Sequence, residues 1–264
     1  MTALERRHLA DLRLSEVTRA LRALSSAYVE RRDTGLRGAL DSAGKRAAFA
    51  LYYAPLHFLV TDLIVRALAA GVPAPASILD IGCGTGAAGA AWALAAGGVP
   101  VTGIDRHPWA AAEARWTYRE LGLDGRARQG DIARLPPLPA RSAVIAAFVL
   151  NELSAETRGR VEERLLEAAG RGARILIIEP IALRPVPWWR AADERFRSLG
   201  GRADEWRFPV SLPASLQLLD RAAGLRHAEL TARSLYSPGV PARINRAASG
   251  ACVRRRCRRR WRPA

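Results

Sequence analysis

The feature that most constrains the fold is a glycine-rich segment, Ser77 to Gly89, with the sequence SILDIGCGTGAAG. It begins with a short apolar run that carries one acid, Asp80, and continues through glycines at alternate positions, Gly82, Gly84 and Gly86. The alanine-rich stretch that follows is typical of a helix. A buried strand, a glycine turn and a helix in this order are typical of the first unit of a nucleotide-binding sheet.

Two classes of ligand suit this turn, because glycines let a ligand approach the backbone closely. Gly84, Gly86 and Gly89 also match the spacing G-x-G-x-x-G, which would favour a nicotinamide-dependent oxidoreductase. Asp80 argues against a pyrophosphate, because a carboxylate at the strand end would repel it, whereas an ammonium group and a sulfonium would be attracted. An ordinary strand-to-helix turn is the remaining alternative.

Much of the charge of this 264-residue chain lies near its C-terminal end. Nine arginines occur from Arg243 to Arg262 with no acid among them, which leaves +7 of the formal net charge of +16 for the rest. Such a segment predicts binding to phosphate backbones, and so an RNA or ribosome partner, with Trp261 stacking on a base. A solvated arm without a partner is the alternative.

The composition also limits the class of protein. Hydrophobic residues make up 49% of the chain, which is enough for a substantial core. We find no apolar run of about 18 residues and no secretory signal, so we expect no membrane span. The three cysteines, Cys83, Cys252 and Cys257, are too few and too scattered to predict a disulfide framework or a metal site. A cytoplasmic location is therefore expected.

The chain divides into three predicted parts. Residues 1–70 are predicted to be a helical extension or cap, with Tyr28 to Gly38 as a connection, and Pro55 is expected to break or start a helix. Residues 76–237 alternate between strand and helix patterns, which predicts an α/β fold with a doubly wound, mostly parallel sheet. Residues 238–264 are the basic tail, together with a last strand at Gly250 to Val253.

The central part is predicted to contain strands at Ile78 to Ile81, Val101 to Asp105, Ala127 to Gly130, Ala143 to Phe148, Arg174 to Ile178 and Ala228 to Leu235. Its predicted helices are Ala87 to Ala96, Pro108 to Leu121, Ser154 to Ala169, Trp188 to Leu199 and Pro213 to Ala223. Polar residues end or follow successive strands: Asp80, Asp105, Asp131, Asn151 and Glu179. Because ligands of parallel sheets bind at the carboxyl ends of the strands, these residues are expected to share one edge.

An aromatic segment, Ala47 to Leu68, lies shortly before the glycine turn. Two arrangements are open. Tyr52, Tyr53 or His57 faces the ligand and caps the site, or these aromatic side chains pack against the sheet.

The pattern Asp80-x-Gly82-x-Gly84-x-Gly86 resembles the first motif of the class I S-adenosylmethionine-dependent methyltransferases. The resemblance implies that the glycines pass beneath S-adenosylmethionine and that Asp80 holds the amino group of its methionine moiety. The residues that the resemblance assigns to the cofactor are Asp80, Gly82, Cys83, Gly84, Gly86, Asp105, Arg106, Asp131, Ile132 and Phe148.

Within this set, the resemblance implies that Asp105 binds the ribose hydroxyls and that Arg106 flanks the adenine. It further implies that Asp131 accepts the adenine amino group, while Ile132 packs on the ring. A helix cap or turn residue is the alternative for both aspartates.

Asn151 and Glu152 follow the fourth strand, where this family usually places residues that face the substrate. Methyl transfer depends mainly on proximity and orientation. Asn151 is predicted to orient the acceptor, and Glu152 is predicted to act as a base if it is buried. The alternative for Glu152 is a solvated residue near a helix start.

A narrower resemblance links the chain to the methyltransferase-like family associated with assembly of the small ribosomal subunit. It rests on residues 24–32, on the aromatic segment around Pro55 and on residues 148–153. The chain departs from that family because it has no cysteine-rich region between Glu179 and Ala251.

Together these patterns predict a methyltransferase that uses S-adenosylmethionine, with a small molecule or an unspecified compound as the acceptor. The alternative is a ribosome-assembly or RNA-binding protein that keeps the cofactor pocket and has no catalytic activity.

Overall fold

The computed structural model describes residues 2–30, 40–135, 138, 141–181 and 187–239. In this part of the chain, seven strands form one sheet in the order β3-β2-β1-β4-β5-β7-β6. The strands are β1 (Ile78–Ile81), β2 (Val101–Asp105), β3 (Gly125–Gln129), β4 (Ala143–Ala147), β5 (Arg174–Glu179), β6 (Arg202–Pro209) and β7 (Glu229–Ser237). Strands β1 to β5 are parallel, and β7 runs antiparallel to both β5 and β6. The predicted mostly parallel sheet is confirmed.

The helices cover both faces of the sheet, as in a doubly wound fold. They are α1 (Thr2–His8), α2 (Leu14–Glu30), α3 (Ala43–Ala48), α4 (Ala54–Ala67), α5 (Ala87–Ala95), α6 (Pro108–Glu120), α7 (Ala155–Gly170), α8 (Pro187–Ser198) and α9 (Ala214–Ala222). Helices α2 to α6 and α9 contribute to the core on one face. Helices α7 and α8 contribute to the core on the other face. Short 3₁₀ turns occupy Ile132–Arg134 and Leu150–Glu152.

Helix α5 fixes the distance between the glycine turn and the sheet. It is apolar on all sides, which is the pattern of a fully buried helix. Seven of its residues, Ala87 to Ala93, are buried, and they include the large ring of Trp92. The Trp92 indole Nε1 donates a hydrogen bond of 3.3 Å to the carbonyl of Ala70. The small alanine side chains therefore let α5 pack closely between α4 and the strands.

The helix that precedes β1 runs without a break through Pro55. A π-helical turn, Phe49–Tyr53, joins α3 to α4, and the Ala54 N–H donates to the carbonyl of Phe49. Pro55 directly follows this π-helical turn as the second residue of α4, and because proline has no N–H it donates no hydrogen bond to the preceding helical turn. The expectation that Pro55 breaks the helix is wrong, and the expectation that an α-helix starts there agrees with the structure.

By length and composition alone, the continuous helix Ala43–Ala67 could cross a membrane. In this structure, 56% of the most apolar 18-residue stretch of this helix is buried inside the protein. Packing against α5 and the sheet thus accounts for the apolar character of this segment.

Hydrogen bonds to the buried Glu113 of α6 hold the N-terminal helix α1 against α6. Arg7 donates to both carboxylate oxygens of Glu113, with distances of 2.9 to 3.0 Å. His8 Nε2 lies 2.8 Å from Glu113 Oε1. Burial by itself raises the pKa of Glu113, but the hydrogen bonds and charges of His8 and Arg7 outweigh it and lower that pKa.

Strand β6 was not predicted, because its sequence RADEWRFP contains several charged residues. It is an edge strand whose charged residues alternate with Trp206 and Phe208, and charge on an edge strand discourages pairing with another chain. Helix α2 continues to Glu30, so Tyr28 to Glu30 belong to this helix, and the rest of the predicted connection, residues 31–38, lies outside the described residues. The predicted strand at Gly250 to Val253 and the arginine-rich tail lie outside the described residues.

Replacing Glu113 with Gln should lower the free energy of unfolding by about 1–3 kcal/mol, because Arg7 and His8 lose a charged acceptor in a buried setting. Since the pKa of Glu113 is lowered by folding from its ordinary 4.5, the difference from wild type should shrink as the pH falls through and below that range. Urea unfolding followed by circular dichroism measures both effects. The control is Glu120→Gln, an exposed acid on the same helix, and an equal loss in both variants would contradict the assignment.

Candidate functional site

The glycine turn between β1 and α5 requires residues without a side chain. Gly82 and Gly86 have φ values of +68° and +79°, a region that other residues enter only with strain. A Cβ on Gly82 would lie 2.4 Å from Cγ2 of Val149, and a Cβ on Gly86 would lie 2.8 Å from Cε1 of Tyr118. The turn is therefore pressed against the segment after β4 on one side and against α6 on the other.

Asp80 lies beneath the turn and joins it to α5. Its side chain is buried, and Oδ2 accepts a hydrogen bond of 2.9 Å from the backbone N–H of Gly89. The pKa of Asp80 is raised to about 7: burial has the largest effect and raises it, the Gly89 hydrogen bond lowers it, and the nearby Asp105 raises it. The contact to an amino group, which the resemblance implies for Asp80, stays a prediction.

Asp105, the last residue of β2, reaches over to the glycine turn. Its Oδ2 accepts from the N–H of Gly84 at 2.9 Å, and its Oδ1 accepts from the N–H of His107 at 2.8 Å. The carboxylate is half-buried and both oxygens are oriented by backbone donors, so each keeps lone pairs for a ligand. Arg106 is exposed, and its carbonyl accepts from the amide of Gln129.

Asp131 and Ile132 lie at the end of β3, farther out along the same edge. Asp131 is exposed and caps the 3₁₀ turn, because Oδ1 accepts from the N–H of Ala133 at 2.9 Å. Ile132 is buried in the core on the α7 side of the sheet. The geometry thus displays the capping role that was the alternative for Asp131, and contacts of either residue with adenine stay predictions.

Cys83, one of the residues predicted to contact the cofactor, faces the core. Its thiol is buried, and a Cβ on Gly103 of β2 would lie 2.7 Å from Sγ. Burial and the nearby acids Asp80 and Asp105 raise the pKa of the thiol well above its usual range. Cys83 therefore fills the space between the turn and β2 as a neutral side chain.

The aromatic segment packs over the glycine turn. A Cβ on Gly84 would lie 3.5 Å from the ring of Phe49, so this ring covers the middle of the turn. His57 stacks on Phe148 with ring centroids 4.0 Å apart and an interplanar angle of 16°. The ring centroids of Phe49, Tyr53 and His57 lie 5.9 to 6.3 Å from one another.

Of the three residues predicted to cap the site, Tyr52 points away from the glycine turn and toward α9. It is buried, and its hydroxyl donates a hydrogen bond of 2.6 Å to Asp220 on α9. Tyr53 and His57 are half-buried in the cluster beside the turn, which is the arrangement expected of a cap. Phe148 has a φ of +58°, which is strained for an aromatic residue, and this strain occurs beside the glycine turn.

The 3₁₀ turn after β4 is held by the buried acid at the end of β5. Glu179 Oε1 accepts from the N–H groups of Leu150 at 2.8 Å and Asn151 at 3.3 Å. Its Oε2 accepts from Nδ2 of Asn151 at 2.7 Å, and Oδ1 of Asn151 accepts from the indole of Trp188 at 3.2 Å. Both ends of the Asn151 amide are thus used within the protein, and its contact with an acceptor stays a prediction.

Comparisons with known proteins agree with this geometry. A family described as "Methyltransferase domain" matches residues 78–170, which run from β1 to the end of α7. About a third of the chain, from β1 to α7, is therefore similar to a methyltransferase domain.

Two curated methyltransferases are similar to parts of this chain. One is the ribosomal RNA small subunit methyltransferase C of Chromohalobacter salexigens, which is 31% identical over 151 residues, 56% of this chain and 44% of the relative. The other is the 2-ketoarginine methyltransferase of Streptomyces arginensis, which is 34% identical over 121 residues, 44% of this chain and 35% of the relative. The chain thus spans less than half the length of each.

Among solved structures, the mitomycin 7-O-methyltransferase MmcR is similar with a TM-score of 0.48 and 19% identity. The similarity covers 74% of this chain and 56% of that one.

Glu152, at the end of the 3₁₀ turn, is half-buried. Its pKa is raised to about 7: burial has the largest effect and raises it, Arg106 lowers it and Asp105 raises it. A carboxyl group that titrates near neutral pH is suited to accept a proton, and the role of Glu152 as a base stays a prediction.

Several residues of the site have no signal in the sequence. Glu179 was expected at the sheet edge, but the hydrogen bonds that it accepts from the 3₁₀ turn were not expected. Trp188 was not expected near the site, and Phe49 belongs to the segment expected to cap it but was not among the residues named to face the ligand. Within the described ranges, no group of three or more His, Cys, Asp and Glu side chains is placed to hold a metal ion.

A groove of about 790 Å³ lies beside this site rather than in it. It is lined by Ile181, which follows β5, by Glu205 and Arg207 of β6, and by residues before and at the start of β7, among them His227. The glycine turn and the strand-end acids do not line this groove, so we place the candidate cofactor site by its backbone geometry and by the family match.

Replacing Gly82 with Ala should abolish binding of S-adenosylhomocysteine, because the new Cβ would displace Val149 and with it the segment after β4. The control is Gly97→Ala, which has a φ of +86° but no atom within 4 Å of the added Cβ. Both variants should lose about 1–2 kcal/mol of stability through backbone strain, while calorimetry should show lost binding for Gly82→Ala alone. Equal binding by both variants would contradict the assignment.

Proposed function

We propose that this protein transfers the methyl group of S-adenosylmethionine to an acceptor. One observation carries the proposal: within the segment that matches a methyltransferase domain, the carboxylate of Asp105 is fixed against the glycine turn by the N–H of Gly84. In this arrangement the turn supports the methionine part of the cofactor and Asp105 binds the ribose hydroxyls. Asp131 and Ile132 are the proposed contacts of the adenine.

The cofactor supplies an activated methyl group when it is bound, so the protein has mainly to orient the reactants and exclude water. The aromatic cluster of Phe49, Tyr53, His57 and Phe148 supports this role, since it covers the turn with apolar surface. Glu152 is the proposed proton acceptor for acceptors that must lose a proton. Asn151 is the proposed contact to the acceptor, positioned by Glu179.

We infer a small molecule as the acceptor, and a cytoplasmic location. The covered turn supports a compact acceptor, because Phe49 and the residues around it narrow the approach. The names of the two relatives differ in this respect, since one refers to ribosomal RNA and the other to 2-ketoarginine. Similarity to them therefore supports methyl transfer in general and leaves the choice of acceptor to experiment.

The alternative is a ribosome-assembly or RNA-binding protein that retains the pocket without catalysis. It is favoured by the hydrogen bonds of the Asn151 side chain, which donates to Glu179 and accepts from Trp188. These bonds leave Asn151 with fewer hydrogen-bonding positions for a methyl acceptor. The arginine-rich tail would then supply the contacts to RNA.

Calorimetric titration with S-adenosylhomocysteine tests the cofactor proposal. Wild-type protein should bind with a Kd on the order of micromolar, and Asp105→Ala should weaken binding at least about 10-fold, because a bidentate contact to the ribose is lost. The control is Asp124→Ala, an exposed aspartate at the opposite end of the sheet, which should bind like wild type. Failure of wild-type protein to bind would overturn the proposal.

Methyl transfer itself is tested with S-adenosylmethionine carrying a tritiated methyl group. The protein is incubated separately with a small-molecule extract and with ribosomal RNA, and label is counted after removal of the cofactor. We expect label in the small-molecule fraction. Label in RNA would identify RNA, and not a small molecule, as the acceptor. Binding of S-adenosylhomocysteine without any labelled product would favour the non-catalytic alternative.

A further inference from the structure

Arg233 of β7 is a half-buried cation that has no carboxylate partner in the part of the chain that the structure describes. Its Nη2 donates a hydrogen bond of 2.7 Å to the carbonyl of Ile181, and its guanidinium carbon lies 5.3 Å from the centre of the Trp189 ring. Its Nε is buried and has no hydrogen-bond partner among the same residues. Because a guanidinium carries five N–H donors, most of the donors of Arg233 are unused.

Two acids lie next to Arg233 in the sheet, and neither forms an ion pair with it. Glu179 of β5 and Glu205 of β6 are its partners in the strand register. Both carboxylate oxygens of Glu179 accept hydrogen bonds from the turn after β4 instead. Glu205 is exposed, and the ion pairs of β6 involve other residues. Residues 182–186, which lie outside the described ranges, include no acid that would supply the missing charge.

An anionic ligand would satisfy the guanidinium of Arg233. A buried donor without an acceptor costs free energy, and in native proteins such a group is a sign of a missing ion or water. The Nε and Nη donors of arginine form a planar fork that matches the oxygens of a carboxylate or a phosphate. The Trp189 ring and the Ile181 carbonyl hold the guanidinium in place but bring no negative charge, so the fork is ordered before a ligand arrives.

The groove of about 790 Å³ adjoins Arg233. Its lining includes Ile181, whose carbonyl accepts from Arg233, and Thr231, which shares a face of β7 with Arg233 because side chains alternate along a strand. The formal charges of the arginines and glutamates that line the groove cancel, since they are Arg207, Arg226, Glu205 and Glu229. The guanidinium of Arg233 therefore gives this end of the groove a net positive charge.

Arg233 lies at the edge of the sheet where the candidate cofactor site lies. It is opposite Glu179, the last residue of β5, so it is level with the carboxyl ends of the parallel strands. The ring of Trp189 is 5.3 Å from that of Trp188, whose indole donates to Asn151. Three strand intervals separate β1 from β7, which is about 14 Å at about 4.8 Å for each interval. This span suits a small molecule in which the anionic group and the methylated atom are on the order of 10 Å apart.

We propose that Arg233 binds an anionic group of the methyl acceptor, a carboxylate or a phosphate, and so makes the protein selective for anionic small molecules. This inference rests on the proposed function, because it names the chemical class of the acceptor. Arg233 binds the end of the acceptor that does not react, and the other end lies at the turn after β4. A neutral acceptor of the same shape would leave the Nε donor unpaired and would bind less tightly.

The first test observes the Nε–H group of Arg233 by NMR in the full-length protein labelled with ¹⁵N. Its resonance is the one that is absent from the spectrum of Arg233→Lys. Inorganic phosphate and acetate are added separately in about 0.15 M chloride, which screens attraction between exposed charges. We expect a saturable shift of this resonance with a Kd on the order of millimolar for at least one anion. The anion that binds more tightly distinguishes a phosphate from a carboxylate, and a resonance that neither anion moves would overturn the inference.

The second test follows the transfer of a tritiated methyl group to a small-molecule extract that anion exchange has divided into anionic and other compounds. Wild type should label the anionic fraction. Arg233→Lys should label it at least about 10-fold more slowly, because a point charge replaces the planar fork. Calorimetry should give wild type and Arg233→Lys the same Kd for S-adenosylhomocysteine, which shows that the variant is folded.

The matched control is Arg197→Lys, which changes an exposed arginine of α8 that is paired with Asp193 and should label the anionic fraction as wild type does. Label confined to the neutral and cationic compounds, or equal labelling by Arg233→Lys and wild type, would overturn this inference alone. Failure of wild type to bind S-adenosylhomocysteine, or absence of label from every fraction, would instead overturn the proposed function on which the inference rests.

Discussion

The hydrogen bond between Asp80 and the N–H of Gly89 is the interaction on which the rest of the site depends. It joins the end of β1 to the first turn of α5 across a loop of glycines, and it is buried beneath that loop. Glycine is needed at positions 82 and 86 for two reasons: φ is positive there, and Val149 and Tyr118 leave no room for a Cβ. Without side chains at these positions, the backbone of the turn can be approached closely by a ligand beside the ring of Phe49.

A second buried acid organises the other half of the site. Glu179 binds the turn after β4, and Asn151 extends that contact to Trp188 of α8. The continuous helix Ala43–Ala67 then brings Phe49 and His57 over the glycine turn. In this way the N-terminal extension and the two halves of the sheet meet at one edge, although they are far apart in the sequence.

Most of the parallel strands could be predicted because they are apolar runs that end at a polar or glycine residue, as in Ile78 to Gly82. Strand β3 has the sequence GRARQ and is not apolar, and its predicted bounds, Ala127 to Gly130, differ from the observed Gly125–Gln129. The edge strand β6 could not, because its residues are fixed by pairing with β7 and its charges resemble those of a loop. The site was predictable where a local motif exists, as at Asp80 and the glycines. The partners of Asn151 were not predictable, because Glu179 and Trp188 are 28 and 37 residues away and no spacing encodes their contact.

The central claim is that the cofactor lies across the glycine turn with its ribose at Asp105. A crystal structure of the protein with S-adenosylhomocysteine measures this most directly. The account predicts electron density with the homocysteine part over Gly82 to Gly84 and the ribose hydroxyls at the Asp105 carboxylate. Density for the ligand in the groove beside His227, with the turn unchanged, would contradict it.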